Sequence, residues 1–245
     1  MTNQEFSNEF DVLYNNIMSN QAPGLDEYEK SVFLTKAQDE IVKNYFNPKG
    51  NKYNEGFDGN EKRQIDFSMI MRSTAITSGF TEGIFDTRGK TITLPNDIIM
   101  ILNEYALVTR AKSDGDPESV LESVRLTVVP IEYKEYSRLM SKPYKRPLKW
   151  QAWRLLNNST TNNSAEIITG PNDTLTSYNV RYIKRPRAII LSDLEGVTLD
   201  GQSEAQTCEL DPILHPEILQ RAIELAKAAY VGDINTQVQM GQRSE

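Results

Sequence analysis

The side chains that could carry out chemistry are few, since this chain contains one histidine, His215, and one cysteine, Cys208. One histidine excludes HExxH metalloprotease sites and multi-histidine metal sites, and one cysteine excludes an internal disulfide and a thiolate-based zinc site. A Ser-His-Asp triad needs a single histidine, but the G-x-S-x-G elbow that carries its serine is missing. Because Pro216 and Glu217 follow it and suit the first helical positions, we interpret His215 as a capping or structural residue.

Motifs that bind phosphate or calcium are missing as well. The sequence contains neither G-x-x-x-x-G-K-[ST] nor G-x-G-x-x-G. The acidic cluster Asp114-Gly115-Asp116 lacks the spaced oxygen ligands and the terminal glutamate of a calcium loop, so we interpret it as an exposed turn. Carboxylates are abundant, and a carboxylate-based hydrolase therefore stays open on spacing alone. We predict no catalytic residue, no bound metal, no cofactor and no enzymatic activity.

The most unusual composition lies at 142–154, which reads "KPYKRPLKWQAWR" and contains no acidic residue. A second basic stretch, "RYIKRPR", follows at 181–187. Tyrosine, tryptophan and arginine are enriched among the residues that anchor protein interfaces, so these stretches could meet acidic surface on another copy of the chain. Two alternatives are a stacking groove for single-stranded nucleic acid and a solvated strand edge with Trp150 and Ala152 facing a core. The interface candidates are Tyr144, Lys145, Arg146, Lys149, Trp150, Trp153, Arg185 and Arg187.

The C-terminus continues beyond a helix signature into an uncharged stretch. Gly232 is a typical helix terminator, and Ile234, Thr236, Val238 and Met240 then alternate with amide side chains. A lone strand cannot satisfy its own backbone groups, so this stretch is either a frayed terminus or paired with a sheet edge of another subunit. We include Ile234, Val238 and Met240 among the candidate partner-binding residues.

The elements that must position these residues follow from hydrophobic periodicity. Helical spacing predicts helices from Phe6 to Met18 and from Asp26 to Tyr45, which form a helical hairpin, and another over 216–231. Shorter helices are expected at 61–72 and 132–140. Alternation with period two predicts six strands, at 91–94, 98–109, 124–129, 149–156, 166–169 and 177–183.

The strands and helices do not alternate regularly, which favours an antiparallel sheet. We therefore predict an α+β fold in which an N-terminal helical hairpin and a C-terminal helix pack with a mainly antiparallel β-sheet. One domain is expected at 1–231, helical over 1–72, sheet-rich over 90–200 and closed by a helix at 216–231. Residues 232–245 are expected to form an interaction arm.

Composition and charge limit the class of protein. With 245 residues, 38% of them hydrophobic, the chain is long enough to bury a core. A net charge of −7 disfavours general affinity for nucleic acid or anionic lipid, because phosphate groups would be repelled. The acidic N-terminus does not resemble a signal peptide, and the longest apolar run, 98–102, is too short to span a membrane. A soluble protein made inside the cell is expected.

Five segments carry a family resemblance, and they read "FLTKAQDEIVKNYF", "LPNDIIMILNEYALV", "VVPIEYKEYSRLMSKPYKRPLKWQAWRL", "YNVRYIKRPRAI" and "LHPEILQRAIELAKAAYVGD". None of the segments is a catalytic fingerprint, so the resemblance depends on their joint order along the chain. In that order they resemble the ring or head-to-tail adaptor (connector) proteins of tailed bacteriophages, most closely those of crAss-like phages.

The resemblance implies a structural virion protein that forms a ring, expected to be a dodecamer, below the portal in the head-to-tail connector. Such a ring extends the DNA channel and links the portal to the tail. The implied partners are further copies of the chain, the portal protein and other ring or tail proteins, with no membrane. Genomic DNA would pass through without sequence-specific binding, and assembly would take place in the host cytoplasm. The alternative is a nucleic-acid-binding module that uses 142–154 and 181–187.

Overall fold

The structure is a computed structural model of the single chain, and it describes residues 1–17, 24–46, 61–111, 121–147, 149–157 and 163–231. Its backbone divides into two compact units. The helical unit comprises Met1–Ile70 and Pro186–Glu245, and the sheet unit comprises Met71–Arg185. The α+β fold class is confirmed, while the expected domain boundaries stay a prediction.

The described part of the helical unit contains four α-helices, because its apolar residues recur at helical spacing. Phe6, Phe10 and Tyr14 on the first helix are buried, and so are Ile218 and Ala222 on the last. The first two helices are joined by an ion pair between Lys30 and Asp11, and the second contacts the last through Arg221 and Glu40. The helices are α1 (Asn3–Ile17), α2 (Glu27–Phe46), α3 (Glu61–Asp66) and α5 (His215–Val231).

One face of α2 is buried although it is polar. Ser31, Thr35 and Gln38 lie three or four positions apart and therefore on the same side of the helix. They satisfy the backbone of the extended segment 187–191: the Thr35 hydroxyl accepts the N–H of Ile189 at 3.1 Å, and the Gln38 amide donates to the carbonyl of Arg187 at 2.8 Å. Each buried polar group thus has a partner, which is the condition for burying it without a large cost.

Within the part of the sheet unit that the structure describes, eight strands form one sheet in the order β1-β8-β4-β5-β6-β7-β3-β2. All neighbouring pairs are antiparallel except β5 with β6, which is parallel and is connected through helix α4 (Tyr133–Met140). The strands are β1 (Met71–Ile76), β2 (Thr81–Glu82), β3 (Gly89–Thr93), β4 (Ile98–Ala111), β5 (Leu121–Pro130), β6 (Gln151–Leu156), β7 (Ser164–Ile168) and β8 (Thr174–Lys184).

The sheet has a core on each face. The main core gathers alternate residues from six strands, among them Ala106, Leu126 and Tyr178, all fully buried. A second cluster lies on the opposite face, where α4 covers Trp153, Leu155 and Ile168. Because β6 contributes to both cores, four consecutive residues of this strand, 152–155, are buried.

All six predicted strands and the helices at both termini are confirmed, with ends shifted by a few residues. The helix expected at 61–72 is wrong in its second half: after α3 the chain makes one 3-10 turn, Ser68–Ile70, and enters β1. Strands β1 and β2 lie at the two edges of the sheet and were not predicted. Residues 47–60, a stretch rich in glycine and asparagine, lie outside the described residues.

A buried carboxylate holds the connection between β2 and β3. Glu166, fully buried on β7, accepts the consecutive backbone N–H groups of Ile84, Phe85 and Asp86 at 2.9–3.1 Å. These hydrogen bonds satisfy the buried carboxylate, which is the condition for burying a polar group without a large cost. Gly83 lies so close that an added Cβ would be 2.4 Å from both the Asp86 carbonyl oxygen and Glu166 Oε1.

Gly83→Ala is therefore expected to lower the free energy of unfolding by about 1–3 kcal/mol, because a methyl group would displace this connection. Chemical denaturation of the full chain measures the change. Gly24→Ala is the matched control, since nothing lies within 4 Å of a Cβ at Gly24, and its effect should stay below about 1 kcal/mol. Equal effects of the two substitutions would contradict the proposed close packing.

Candidate interaction surfaces

The connection from α4 to β6 presents a basic-aromatic surface, defined here as Lys142, Tyr144, Lys145, Arg146, Lys149 and Trp150. All six side chains are exposed. The Tyr144 side chain is 92% accessible and that of Trp150 is 62% accessible, which are high values for aromatic residues. The Lys149 ammonium lies 5.9 Å from the centre of the Trp150 ring, at the limit of a cation–π contact. Exposed aromatic rings beside cationic side chains are typical of surfaces that bind a partner.

The backbone beneath this surface is held by a buried arginine. Arg110 on β4 donates one hydrogen bond to the Lys149 carbonyl at 2.8 Å and another to the Asp173 carboxylate at 2.9 Å. Both members of this ion pair are at least nine-tenths buried. At the α4 end of the connection, the Arg146 guanidinium donates a hydrogen bond to the Met140 carbonyl at 2.9 Å. The aromatic side chains are thus presented by a fixed backbone rather than by a loose loop.

Trp153 and Arg154 belong to the 142–154 stretch but are not on this surface. Trp153 is 3% exposed and packs beneath α4, so its indole is not accessible to a partner. Arg154 forms a buried ion pair with Glu104 at 2.8 Å. The interpretation in which Trp150 faces a core is wrong, because Trp150 is exposed, whereas Ala152 is fully buried as that interpretation expected.

Strands β1, β8, β4 and β5 carry a polar groove of about 440 Å³ on the face opposite the main core. The strand register aligns Ser73, Arg181 and Asn103 in one row and Ala75, Asn179 and Tyr105 in the next. The guanidinium of Arg125 lies 3.8 Å from the centre of the Tyr105 ring. We call this groove the cationic groove, because its described lining includes Arg125 and Arg181 and no acidic residue.

Sequence reasoning identified one residue of the cationic groove, Arg181, and missed Arg125, Tyr105 and Asn103. In β4 the residues at 103, 105 and 109 are polar or aromatic, whereas those at 106 and 108 are apolar. This alternation is incomplete, so in the sequence it was only a weak signal of a polar face. Arg185 is exposed just beyond β8, where its backbone N–H donates to the Asp97 carbonyl at 2.6 Å.

The remaining predicted partner-binding residues lie elsewhere. Arg187 belongs to the helical unit, where its guanidinium lies 3.6 Å from Glu209. Ile234, Val238 and Met240 lie outside the described residues. The interface roles assigned to all these residues stay predictions.

His215 is a buried structural residue, 4% exposed, at the first position of α5. Its Nε2 lies 3.1 Å from the Leu210 carbonyl and its Nδ1 lies 2.7 Å from the Met1 nitrogen. Asp211, not His215, caps the preceding 3-10 turn by accepting the N–H of Ile213. Burial lowers the pKa of His215, and the Leu210 carbonyl only partly opposes this effect.

A lowered pKa in the folded state means that the unfolded chain takes up the proton first as the pH falls. The contribution of His215 to stability is therefore complete above its ordinary pKa of 6.5 and is lost as the pH falls below that value. Urea unfolding at pH 7.5 and 5.5 should show lower stability at pH 5.5, by at most about 1.4 kcal/mol per pH unit. His215→Gln should flatten this dependence; an unchanged slope would assign it to other groups.

Within the described part of the chain, no group of three or more His, Cys, Asp or Glu side chains is placed to hold a metal ion. No helix among the described residues is long and apolar enough to cross a membrane. The described surfaces offer charge, aromatic rings and sheet backbone, which are means of binding another macromolecule.

Comparison with known proteins agrees with this emphasis on assembly. A family model described as phage tail ring protein 3/4 matches residues 1–238. The chain is 53% identical to ring protein 4/5 of Bacteroides phage crAss001 over 251 aligned residues, covering 100% of both proteins. It is 30% identical to ring protein 3 of the same phage over 228 residues, covering 92% of this chain and 95% of that relative.

Proposed function

We propose that this chain, which belongs to the phage tail ring protein 3/4 family, forms a ring below the portal in the head-to-tail connector of a crAss-like phage. Membership of the family makes it a phage tail ring protein and a component of the virion. The finer proposal is that copies of the chain form a dodecamer that extends the DNA channel and links the portal to the tail.

The observation that carries the proposal is the extent of the match. The family model covers residues 1–238, and ring protein 4/5 aligns with the whole chain. The similarity therefore includes both compact units, as expected when the entire fold serves the assembly. A ring requires every copy to offer two different surfaces, one to each neighbour. The basic-aromatic surface and the cationic groove are two such candidates on the sheet unit.

The proposed role needs no catalysis, and its named relatives are ring proteins. A connector works by geometry, since it binds its neighbours and keeps the channel open. The net charge of −7 supports passage of DNA without adhesion, because an acidic protein repels the phosphate backbone. We propose assembly in the host cytoplasm, further ring or tail proteins as partners, and no contact with a membrane.

The test is to mix the purified full-length chain with the purified portal of its phage and to image the particles by electron microscopy. We expect a ring of subunits coaxial with the portal and an open central channel. Particles in which the portal remains bare, or in which the chain binds only to a distal tail component, would contradict the proposed position.

Residues 232–245 are proposed to act as an arm that grips the portal or the adjacent ring. Deletion of residues 233–245 should weaken attachment to the portal about tenfold or more, because strand addition contributes a row of backbone hydrogen bonds. Sedimentation with the portal measures attachment, and an unchanged thermal unfolding curve is the control for folding. Attachment at the wild-type level would remove the arm from the proposal.

The exposed Tyr144 and Trp150 rings beside lysines also favour the second candidate function, binding of single-stranded nucleic acid. That function predicts binding that weakens steeply as salt rises and that disappears when Lys145, Arg146 and Lys149 are replaced by alanine. Fluorescence titration with a labelled single-stranded oligonucleotide distinguishes the two, since a connector surface should show no such binding at physiological salt.

A further inference from the structure

An acidic hairpin extends over residues 190–206 of the helical unit. It contains Asp193, Glu195, Asp200 and Glu204 and no lysine or arginine. Isolated β-bridges pair Ile190 with Gln206 and Leu199 with Gln202, and the Leu194 N–H donates to the Ser203 carbonyl at 2.8 Å. These backbone hydrogen bonds hold the two arms of the hairpin together at its base, its middle and its tip.

The tip and base of the acidic hairpin both restrict its shape. Asp200 and Gly201 have φ angles of 51° and 77°, the pair of positive values that a tight two-residue hairpin turn requires. At the base, Ile190 and Leu194 are buried in a small apolar cluster with Tyr28. Glu195 and Glu204 are exposed between these fixed ends. The Glu195 and Glu204 carboxylates are thus presented on a preorganised scaffold, which reduces the entropy lost when a partner binds.

The cationic groove of the sheet unit has the opposite charge. Arg125 is stacked on Tyr105, and Arg181 donates to the Ser73 hydroxyl at 3.3 Å. These contacts orient the two guanidinium groups without neutralising them, and no described residue that lines the groove is acidic. The groove has a volume of about 440 Å³, so it can receive carboxylate side chains of the hairpin while the rest of the hairpin stays outside it.

We propose that, around the ring, the acidic hairpin of one copy docks in the cationic groove of the next copy. The inference rests on the proposed ring function and specifies one contact between its subunits. The contact joins two different surfaces, so it repeats head to tail and can close into a ring. Copies with a net charge of −7 repel one another, and a local pair of opposite charges selects the one orientation in which they can approach.

Charge reversal tests the contact directly. Arg125→Glu with Arg181→Glu makes the groove acidic, and Glu195→Lys with Glu204→Lys makes the hairpin basic. Each variant alone should form rings on the portal at least tenfold less efficiently than the wild-type chain, because like charges would meet at every interface. Glu9→Lys with Glu82→Lys is the matched control: both carboxylates are exposed outside the two surfaces, and ring formation should be unchanged.

Mixing the two deficient variants in equal amounts should restore rings. In an alternating arrangement each acidic groove meets a basic hairpin and each basic groove meets an acidic hairpin, which closes whenever the copy number is even. A chain that carries all four substitutions should also assemble, for any copy number. Restoration supports the contact and cannot come from misfolded protein. No restoration in either case, with variants that unfold like the wild type, would overturn it.

Cross-linking provides a second measurement that does not depend on charge reversal. Copies with Arg181→Cys and copies with Glu195→Cys, assembled together and treated with a short bis-maleimide, should yield a cross-linked dimer. The wild-type chain is the control for the native thiol of Cys208, because burial raises the pKa of Cys208 to about 11 and so disfavours the reactive thiolate. Rings without the dimer would overturn the inference.

The outcomes separate this inference from the function on which it rests. Wild-type chain that forms no ring with the portal would overturn both. Normal rings from both charge-reversed variants would overturn the hairpin contact alone. Salt-sensitive binding of duplex DNA that is lost on reversal of the groove, without restoration in the mixture, would assign the groove to phosphate groups and overturn the contact.

Discussion

Glu104→Ala is expected to lower the free energy of unfolding by about 3–5 kcal/mol. The Glu104 carboxylate is 7% exposed, lies 2.8 Å from the Arg154 guanidinium and accepts a hydrogen bond from the Tyr178 hydroxyl. Removing the carboxylate leaves a buried guanidinium without a counter-charge and a buried hydroxyl without an acceptor. Denaturation monitored by circular dichroism gives the change in unfolding free energy.

The effect of the unpaired charge on stability can be separated from the effect of lost packing. Replacing all three groups with apolar side chains of similar size, as in Glu104→Leu, Arg154→Met and Tyr178→Phe, removes the unpaired charge together with its partners. This triple variant should recover most of the stability, because a buried ion pair is often no better than a well-packed apolar group. If the triple variant is as unstable as Glu104→Ala, the ion pair is not the source of the effect.

The second large effect is expected on assembly. Replacing both Tyr144 and Trp150 by alanine should weaken incorporation into rings by about 30-fold or more, because truncation of one anchoring aromatic residue costs about 2 kcal/mol or more. The two side chains are 92% and 62% accessible in the single chain, so their loss should leave the free energy of unfolding almost unchanged. Ring formation on the portal, counted by electron microscopy across a concentration series, measures the effect.

Trp153 provides the matched control, since it is the same type of residue three positions further along. Trp153→Ala removes a side chain that is 3% exposed beneath α4 and should destabilise the fold by about 3–5 kcal/mol. Stability loss at Trp153 and assembly loss at Trp150 are the expected pair of results. Normal rings from the Tyr144 and Trp150 variant would show that the basic-aromatic surface is plain solvent-exposed surface.

Periodicity along the chain was sufficient for most of the elements. Phe6, Phe10 and Tyr14 recur at helical spacing and are buried on α1, and Val124, Leu126 and Val128 alternate along β5 and are buried in the main core. Strand β1 was missed because its residues, "MRSTAI", show no apolar alternation. Its strand conformation depends on pairing with β8, a strand about a hundred residues away.

Burial of particular side chains followed the local pattern less well. Ser31, Thr35 and Gln38 are polar and would be expected on the solvated face of α2, yet each is at least nine-tenths buried. They are buried because segment 187–191 brings unpaired backbone groups to that face. Trp150 and Trp153 have the same chemistry and opposite exposure, since α4 covers only one of them.

The two candidate surfaces differ in whether the sequence alone could reveal them. The basic-aromatic stretch could be read directly, because its charge and its aromatic content are contiguous in the chain. The cationic groove could not, because Tyr105, Arg125 and Arg181 come from three strands and meet only through the register of the sheet. Arg154 belongs to the basic stretch, but its charge is neutralised by Glu104, fifty positions earlier.

Local pattern alone was thus enough for the helices, six strands, the α+β class and the scarcity of groups for catalysis. Backbone geometry imposes the 3.6- and 2-residue periods on any sequence that buries one face, so these features can be read without the fold. Which face is covered, which charges are paired and which strands form a groove depend on contacts between residues far apart in sequence. Those features were decided only when the chain folded.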